Sequence, residues 1–444
     1  MKYTVKVVKE NGGLTDCAIC YTIDPKFTKK QKINAFFSGK KLPKEVFTLD
    51  YYLDKAKELE KMGADIITIK DMAGLIPPSL SGKLIKLLKE NISVPINIHT
   101  HCTPGFGLAS VLMAIINGVD IVDTSIMNFS GGTAAPAYEI IHVFAKKLNI
   151  KTGVNVDAVA GINKHLKEIR EELAEYDSDK KFPIEFHPEK DKLPADIDKL
   201  FDDAIILAKA DKEEELLNVI YKIEKYFNFP EPNQQVKFAE IPGGMYSNML
   251  SQLKTLQLDH LLDKVLKTVP VVRIEAGCPP LVTPTSQIVG VQAVNYVIDQ
   301  NNNVPVYTNV STQFANLVKG SYGKTPLPIN PKFREKITGS TQEIPYNTDN
   351  YIPQDNPILV EYDGVRLAEN EEEKLLLELF PSVATGFLKK QKEQYYIDVV
   401  LKLEEEERRK YLKEKEAYDN LSKEDKEKKL MEGLYEYKWN SFED

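Results

Sequence analysis

Ile66-Ile-Thr-Ile-Lys-Asp-Met-Ala-Gly74 and, one unit later, Ile96-Asn-Ile-His-Thr-His-Cys-Thr-Pro-Gly105 decide how this chain is read. Each is an apolar, β-branched run that ends abruptly in ionisable residues and then in a glycine-containing turn. A buried parallel strand presents its chemistry at its C-terminal end in this way. Around the two runs the pattern repeats. The apolar stretch 14–22 is followed by an amphipathic helix over 49–62 closed by Gly63, strand 65–70 by helix 80–90, strand 94–100 by helix 106–117, and strand 119–125 by helix 135–148. Strands alternating with helices at this interval are βαβ units of a parallel sheet, either a barrel or an open doubly wound sheet. No Gly-x-Gly-x-x-Gly follows the first strand, and Val318 stands where a phosphate loop ending in Gly323-Lys-Thr would need its first glycine, so a barrel is preferred.

Three groups of residues at the strand ends are suited to chemistry. His99 and His101, two apart on a strand, project from one face, which converges two imidazoles of the kind that ligate zinc, cobalt, manganese or iron. A pair of hydrogen-bonding histidines is the structural alternative. Lys70 follows an apolar strand that draws it toward the interior, where an unpaired ammonium is costly. It is read as a lysine of lowered pKa, as a carbamate able to ligate metal, or as one half of an ion pair with Asp71 or another carboxylate. Ser130-Gly-Gly-Thr133 offers a close backbone approach and a hydroxyl able to relay a proton, or simply the turn that caps the next helix.

Composition narrows the class. A chain of 444 residues with 42% apolar side chains has ample material for cores, and a net charge of −8 argues against nucleic acid and anionic membrane as partners. Four scattered cysteines suit a reducing compartment rather than a disulfide scaffold, and no stretch reaches the roughly 18 apolar residues of a membrane span. A cytoplasmic enzyme is the expectation.

Outside the βα units the chain is expected to begin with a polar lead-in over 1–11 and to carry a lysine-rich, solvated loop over 26–44. An amphipathic helix over 157–176 places Val159, Ile162, Leu166, Ile169 and Leu173 on one stripe. Residues 177–235 are acidic and dotted with proline around a helical hairpin; 301–365 read as long surface connections; 389–429 form a charged helical tail without a clean heptad.

Taken together, Ile69-Lys-Asp-Met-Ala-Gly-Leu75, His99-Thr-His-Cys-Thr-Pro-Gly105, Asp123-Thr-Ser-Ile126, Ser130-Gly-Gly-Thr-Ala-Ala-Pro136, Ile241-Pro-Gly-Gly-Met245, the run from Pro279 to Gly290, Tyr322-Gly-Lys-Thr-Pro326 and Glu378-Leu-Phe-Pro-Ser382 resemble the biotin-dependent carboxyltransferase family. That family comprises the oxaloacetate decarboxylase α subunit, the carboxyltransferase domain of pyruvate carboxylase or its separately encoded counterpart, and the pyruvate-binding subunit of transcarboxylase. The resemblance implies an α/β chain: strands five to eight of a (β/α)8 TIM barrel over residues 1–154, then a mostly helical funnel domain over 155–390 with 177–235 inserted, then a tail over 391–444. It implies that Lys70 is carboxylated and ligates a divalent metal (Zn, Co or Mn) with His99 and His101, and that the aspartate completing the site is not encoded here.

Thr133 matches a threonine that shuttles a proton between biotin and substrate, and Cys20, Gly131 and Gly132 match positions lining the substrate and biotin pocket. The implied reaction moves a carboxyl group between biotin, carried on another protein, and pyruvate or oxaloacetate. The implied partners are a polypeptide supplying the N-terminal barrel half and a biotin carrier protein, within an oligomer. Two other readings stand beside this one: a non-catalytic truncated scaffold, and a metal-dependent aldolase or acyl-CoA lyase barrel, which shares the His-x-His strand end.

Overall fold

The computed structural model describes residues 2–37, 42, 45–177 and 180–440. Two compact units divide it, residues 1–346 and 347–444.

The first unit is built on a four-stranded parallel sheet in the order β1 (Asp16–Cys20), β2 (Ile66–Asp71), β3 (Ile96–Thr100), β4 (Ile121–Val122). Helices α1 (Lys2–Glu10) and α2 (Lys29–Phe37) flank β1 in sequence, and α3 (Leu49–Met62), α4 (Pro78–Asn91) and α5 (Gly107–Ile116) return the chain between successive strands. The α6 helix (Tyr138–Lys147) follows β4. These returns form where the sequence supplies start and stop signals. Thr48 caps α3 by accepting from the Tyr51 amide, an interaction worth about 1 kcal/mol, and Gly63 ends the helix in a left-handed conformation. Ile67, Ile69, Ile96 and Ile98 are fully buried between the strands and Leu84, Ile85, Leu88, Leu112 and Phe144 of the helices. The sheet is therefore apolar on both faces, as a parallel sheet must be.

The polar lead-in expected over 1–11 is instead α1. Its apolar residues are spaced for a helix, and Val5 is buried in the sheet core. Of the lysine-rich loop, Lys40, Lys41 and Lys44 lie outside the described residues, while Lys29, Lys30 and Lys32 belong to α2.

After α6 come α7 (Val156–Glu172) and the antiparallel pair α8 (Ala195–Lys209) and α9 (Glu213–Tyr226). The pair contacts α5 and α6, adding Phe201, Ile205, Leu216, Ile220 and Phe227 to the same core. That contact accounts for α5, which is apolar all round (Gly-Leu-Ala-Ser-Val-Leu-Met-Ala-Ile-Ile) and buried from Gly107 to Ala114.

A second core lies among α10 (Gln234–Ala239), α11 (Gly243–Thr255), α12 (Leu262–Glu275), α13 (Thr285–Asn301), α14 (Thr312–Lys319) and α15 (Pro331–Thr338), with Met245, Leu253, Val272, Val289, Val297 and Phe314 at its centre. Arg273, 2% exposed, ties this bundle to the end of β1 by donating to the Ile23 carbonyl at 2.7 Å, the Thr22 hydroxyl at 3.0 Å and the Pro279 carbonyl at 2.9 Å.

The surface connections expected over 301–365 contain α14 and α15, each of 8 residues. Local signals build both: Ser311 and Asn330 cap their starts and Gly320 and Gly339 their ends.

The second unit holds a two-stranded hairpin, β5 (Ile358–Leu359) with β6 (Val365–Arg366), and four helices, α16 (Glu371–Leu379), α17 (Pro381–Tyr395), α18 (Leu401–Asp419) and α19 (Lys423–Asn440). Its small core is Leu359, Leu367, Leu377, Ala384 and Leu388; α18 buries nothing.

Candidate active site

Strand register places Cys20, Lys70 and His99 side by side across β1, β2 and β3. Partners in a parallel ladder project from the same face, so these three share one row at the C-terminal end of the sheet, and His101 follows two residues beyond His99. Asp71 turns the other way. Fully buried, it accepts from the Leu75 amide at 2.9 Å, the Ile76 amide at 2.8 Å and the Thr100 hydroxyl at 3.0 Å, and so shapes the turn after β2. Burial pushes its carboxyl up to about 6 against the pull of those donors. The Lys70–Asp71 ion pair is thus not formed, and among the described residues Lys70 pairs with no carboxylate.

The imidazoles are oriented by acceptors on the next segments. His99 Nδ1 lies 2.8 Å from Asp123 Oδ2, just past β4, and His101 Nδ1 lies 2.6 Å from the Thr133 carbonyl oxygen. A carbonyl only accepts, and so does an ionised carboxylate; each Nδ1 therefore holds the proton and each Nε2 presents a lone pair. The two Nε2 atoms face each other at 3.2 Å. Two lone pairs at that distance repel, and a cation accepted by both relieves the conflict. Ligands each about 2.1 Å from one ion, at tetrahedral to octahedral angles, stand about 3.0–3.4 Å apart, which is the separation seen here. Burial, first of all, holds the His101 ring below the usual imidazole range, which favours its neutral form. Among the described residues no third His, Cys, Asp or Glu completes a three-ligand cluster, leaving Lys70 as the adjacent candidate.

His99, His101, Asp123, Ser125 and Thr133 line a cleft of about 600 Å³. Gly131 and Gly132 lie in the loop that carries Thr133 but do not line this cleft, and neither do Lys70 and Cys20. Burial raises the Cys20 thiol, with the Lys70 charge opposing, which leaves it a neutral lining group rather than a nucleophile. Asp123 is the functional residue to which the sequence assigns no role. Its signal is nonetheless there: it stands immediately after the apolar run of β4, one register step from His99.

Comparison with known proteins decides the family. Residues 44–166 match the HMGL-like model and residues 236–434 the conserved carboxylase domain. A pyruvate carboxylase subunit of Methanocaldococcus jannaschii is 32% identical over 88% of this chain and 56% of its own length.

The chain belongs to the biotin-dependent carboxyltransferase family.

Another carboxyltransferase relative, the 2-oxoglutarate carboxylase large subunit of Hydrogenobacter thermophilus, is 28% identical over 87% of this chain and 49% of its own length. The chain thus spans about half the length of these curated relatives. The carboxyl transferase domain of Rhizobium etli pyruvate carboxylase shares the fold at a TM-score of 0.55 and 24% identity, covering 89% of this chain and 57% of that one.

Proposed function

We propose that this chain transfers a carboxyl group between N1 of biotin, carried on another protein, and the methyl carbon of pyruvate. The observation that carries the reading is the pair of Nε2 lone pairs at 3.2 Å beside the exposed Thr133, within a chain of this family. His99, His101 and a carboxylated Lys70 would hold a divalent cation (Zn, Co or Mn). When bound, such an ion supplies Lewis-acid stabilisation of the negative charge that develops on the substrate oxygen.

The chain's own residues do the rest. Asp123 and the Thr133 carbonyl hold both imidazoles as Nδ1 tautomers. In decarboxylation the C3–C4 bond of oxaloacetate breaks, the carboxyl group joins N1 of biotin, and the N1 proton passes through the Thr133 hydroxyl to C3. Carboxylation of pyruvate is the reverse. Cys20, Gly131 and Gly132 lie about this centre as the walls of the substrate and biotin pocket.

In this reading β1–β4 are strands five to eight of a (β/α)8 TIM barrel over residues 1–154, the helices over 155–390 form the funnel domain above it, and 391–444 is the tail. A polypeptide carrying the N-terminal barrel half supplies the remaining strands and the last ligand. Two features support this. Among the described residues no further strand pairs with the outer edges of β1 and β4. On α7 the stripe that should face a partner is open, with Ile162 49% and Ile169 46% exposed. Four unpaired cysteines favour a reducing compartment such as the cytoplasm, and no described helix is long and apolar enough to cross a membrane.

The test is co-expression of the chain with a polypeptide encoding the first four strands, followed by purification and assay of oxaloacetate decarboxylation with free biotin. A stable complex that retains metal and releases pyruvate is expected. A complex that retains metal but cleaves an acyl-CoA or an aldol instead would select the lyase reading, and failure to form a complex would remove the partner.

A further inference from the structure

The segment 177–235 has no counterpart that the sequence can place in the family, yet its last residues run against both loops that carry the site. Phe229, 5% exposed, is held at the end of α9, its amide donating to the Glu224 carbonyl at 3.0 Å. Its ring lies so close to Gly131 that a Cβ there would fall 2.5 Å from Cδ1, and Pro230 covers Gly132 in the same way at 3.1 Å. Pro232 closes on Gly105, where a Cβ would meet its Cγ at 2.6 Å. The Asn233 amide then donates to the Thr103 carbonyl at 2.8 Å. Gly131 and Gly105 both have positive φ, so a side chain is excluded at each by backbone conformation as well as by the facing ring. Two prolines fix φ along the segment and leave it few alternative paths.

We infer that residues 229–233 are a positioning strap that clamps the Gly131–Thr133 and His101–Gly105 loops together and thereby sets the orientation of the His101 imidazole. The route is short. Phe229 and Pro230 seat Gly131 and Gly132; these place the Thr133 carbonyl; that carbonyl accepts from His101 Nδ1 at 2.6 Å and leaves Nε2 turned toward His99. The lever at the other end is the helical pair α8 and α9, anchored on α5 and α6. The inserted hairpin therefore serves the site as well as covering the outer helices. A ring whose acceptor moves can flip or exchange tautomers, and loss of such an orienting bond typically weakens metal binding about 10- to 100-fold.

This rests on the reading of His101 as a ligand, so the experiment separates the two. The full chain is labelled with 15N-histidine, the His101 ring signals are assigned with His101→Gln, and the Co²⁺ dissociation constant is measured in parallel. Wild type, Phe229→Ala, the milder Phe229→Leu and Pro232→Ala are compared with Ile220→Ala, a buried truncation on α9 outside the strap. The strap predicts that the strap variants turn a single Nδ1–H tautomer of His101 into a mixture and weaken Co²⁺ binding about tenfold, while Ile220→Ala changes neither. A His101 spectrum unchanged in every folded strap variant, or changed equally by Ile220→Ala, overturns the proposal. If wild type itself binds no Co²⁺, the ligand reading fails, and the His101 tautomer still decides the strap.

Discussion

Asp123 and His99 form a carboxylate–imidazole pair, Oδ2 to Nδ1 at 2.8 Å, that points the remaining ring nitrogen of His99 at His101. Such a carboxylate raises the basicity of the far nitrogen and fixes its tautomer. Asp123→Asn keeps the size but offers an amide that can face the ring with the wrong end. Titration with Mn²⁺ or Co²⁺ should show affinity lowered by about 10- to 100-fold, with little loss of thermal stability because Asp123 is partly exposed. Affinity equal to wild type would mean that His99 is not a ligand.

Lys70 shares a row with His99 and has no carboxylate partner among the described residues. A neutral amine that adds CO₂ loses a proton and becomes an anionic carbamate, so its metal affinity must depend on dissolved CO₂. Co²⁺ binding measured in degassed buffer and again with bicarbonate should differ for wild type, binding being tighter with bicarbonate. Lys70→Arg should bind weakly in both. Identical binding of the wild type in the two buffers would leave the lysine outside the coordination sphere.

The edge of the sheet carries a separate pH dependence. Asp65 accepts from the Thr15 amide at 2.9 Å and the Thr15 hydroxyl at 2.8 Å and pairs with Lys9 at 3.0 Å, which fastens α1 and β1 together. The Thr15 amide, ahead of Lys9 and the hydroxyl, holds its carboxylate down to about 2. A depressed folded-state pKa stabilises above the ordinary carboxylate value and is lost as the pH falls toward the folded one. Thermal melts of wild type and Asp65→Asn should therefore differ most above pH 4 and converge as the pH approaches about 2. A gap that stays constant across that range would contradict the assignment.

Much of this molecule can be read from its residues, for physical reasons that also mark where the reading stops. The βα units are legible because their apolar runs are strictly bounded, and Lys70, His99 and His101 stand out because charge at the end of such a run is costly. Asp123 needs one fact more, that its strand neighbours β3, which periodicity does not reveal. The α1 helix is masked by Val5, Val7 and Val8, whose β-branching suits a strand, and it forms because burial of Val5 outweighs that preference. The α7 stripe is visible in the sequence as apolar spacing, and the structure presents it largely open. Contacts such as Phe229 with Gly131 join residues about a hundred positions apart and leave no local signal.

The uncovered margins of the sheet bear on how the protein is made. Leu14 is 79% exposed beside β1, and the outer hydrogen-bonding groups of that strand face no neighbour among the described residues. An open strand edge next to apolar surface is a template for any extended chain, including another copy of itself. Synthesis in excess of whatever covers that edge feeds self-association rather than a reserve of working subunits. The dosage of this polypeptide is accordingly tied to that of its complement, and an imbalance should be seen first as insoluble material, before any fall in catalytic rate.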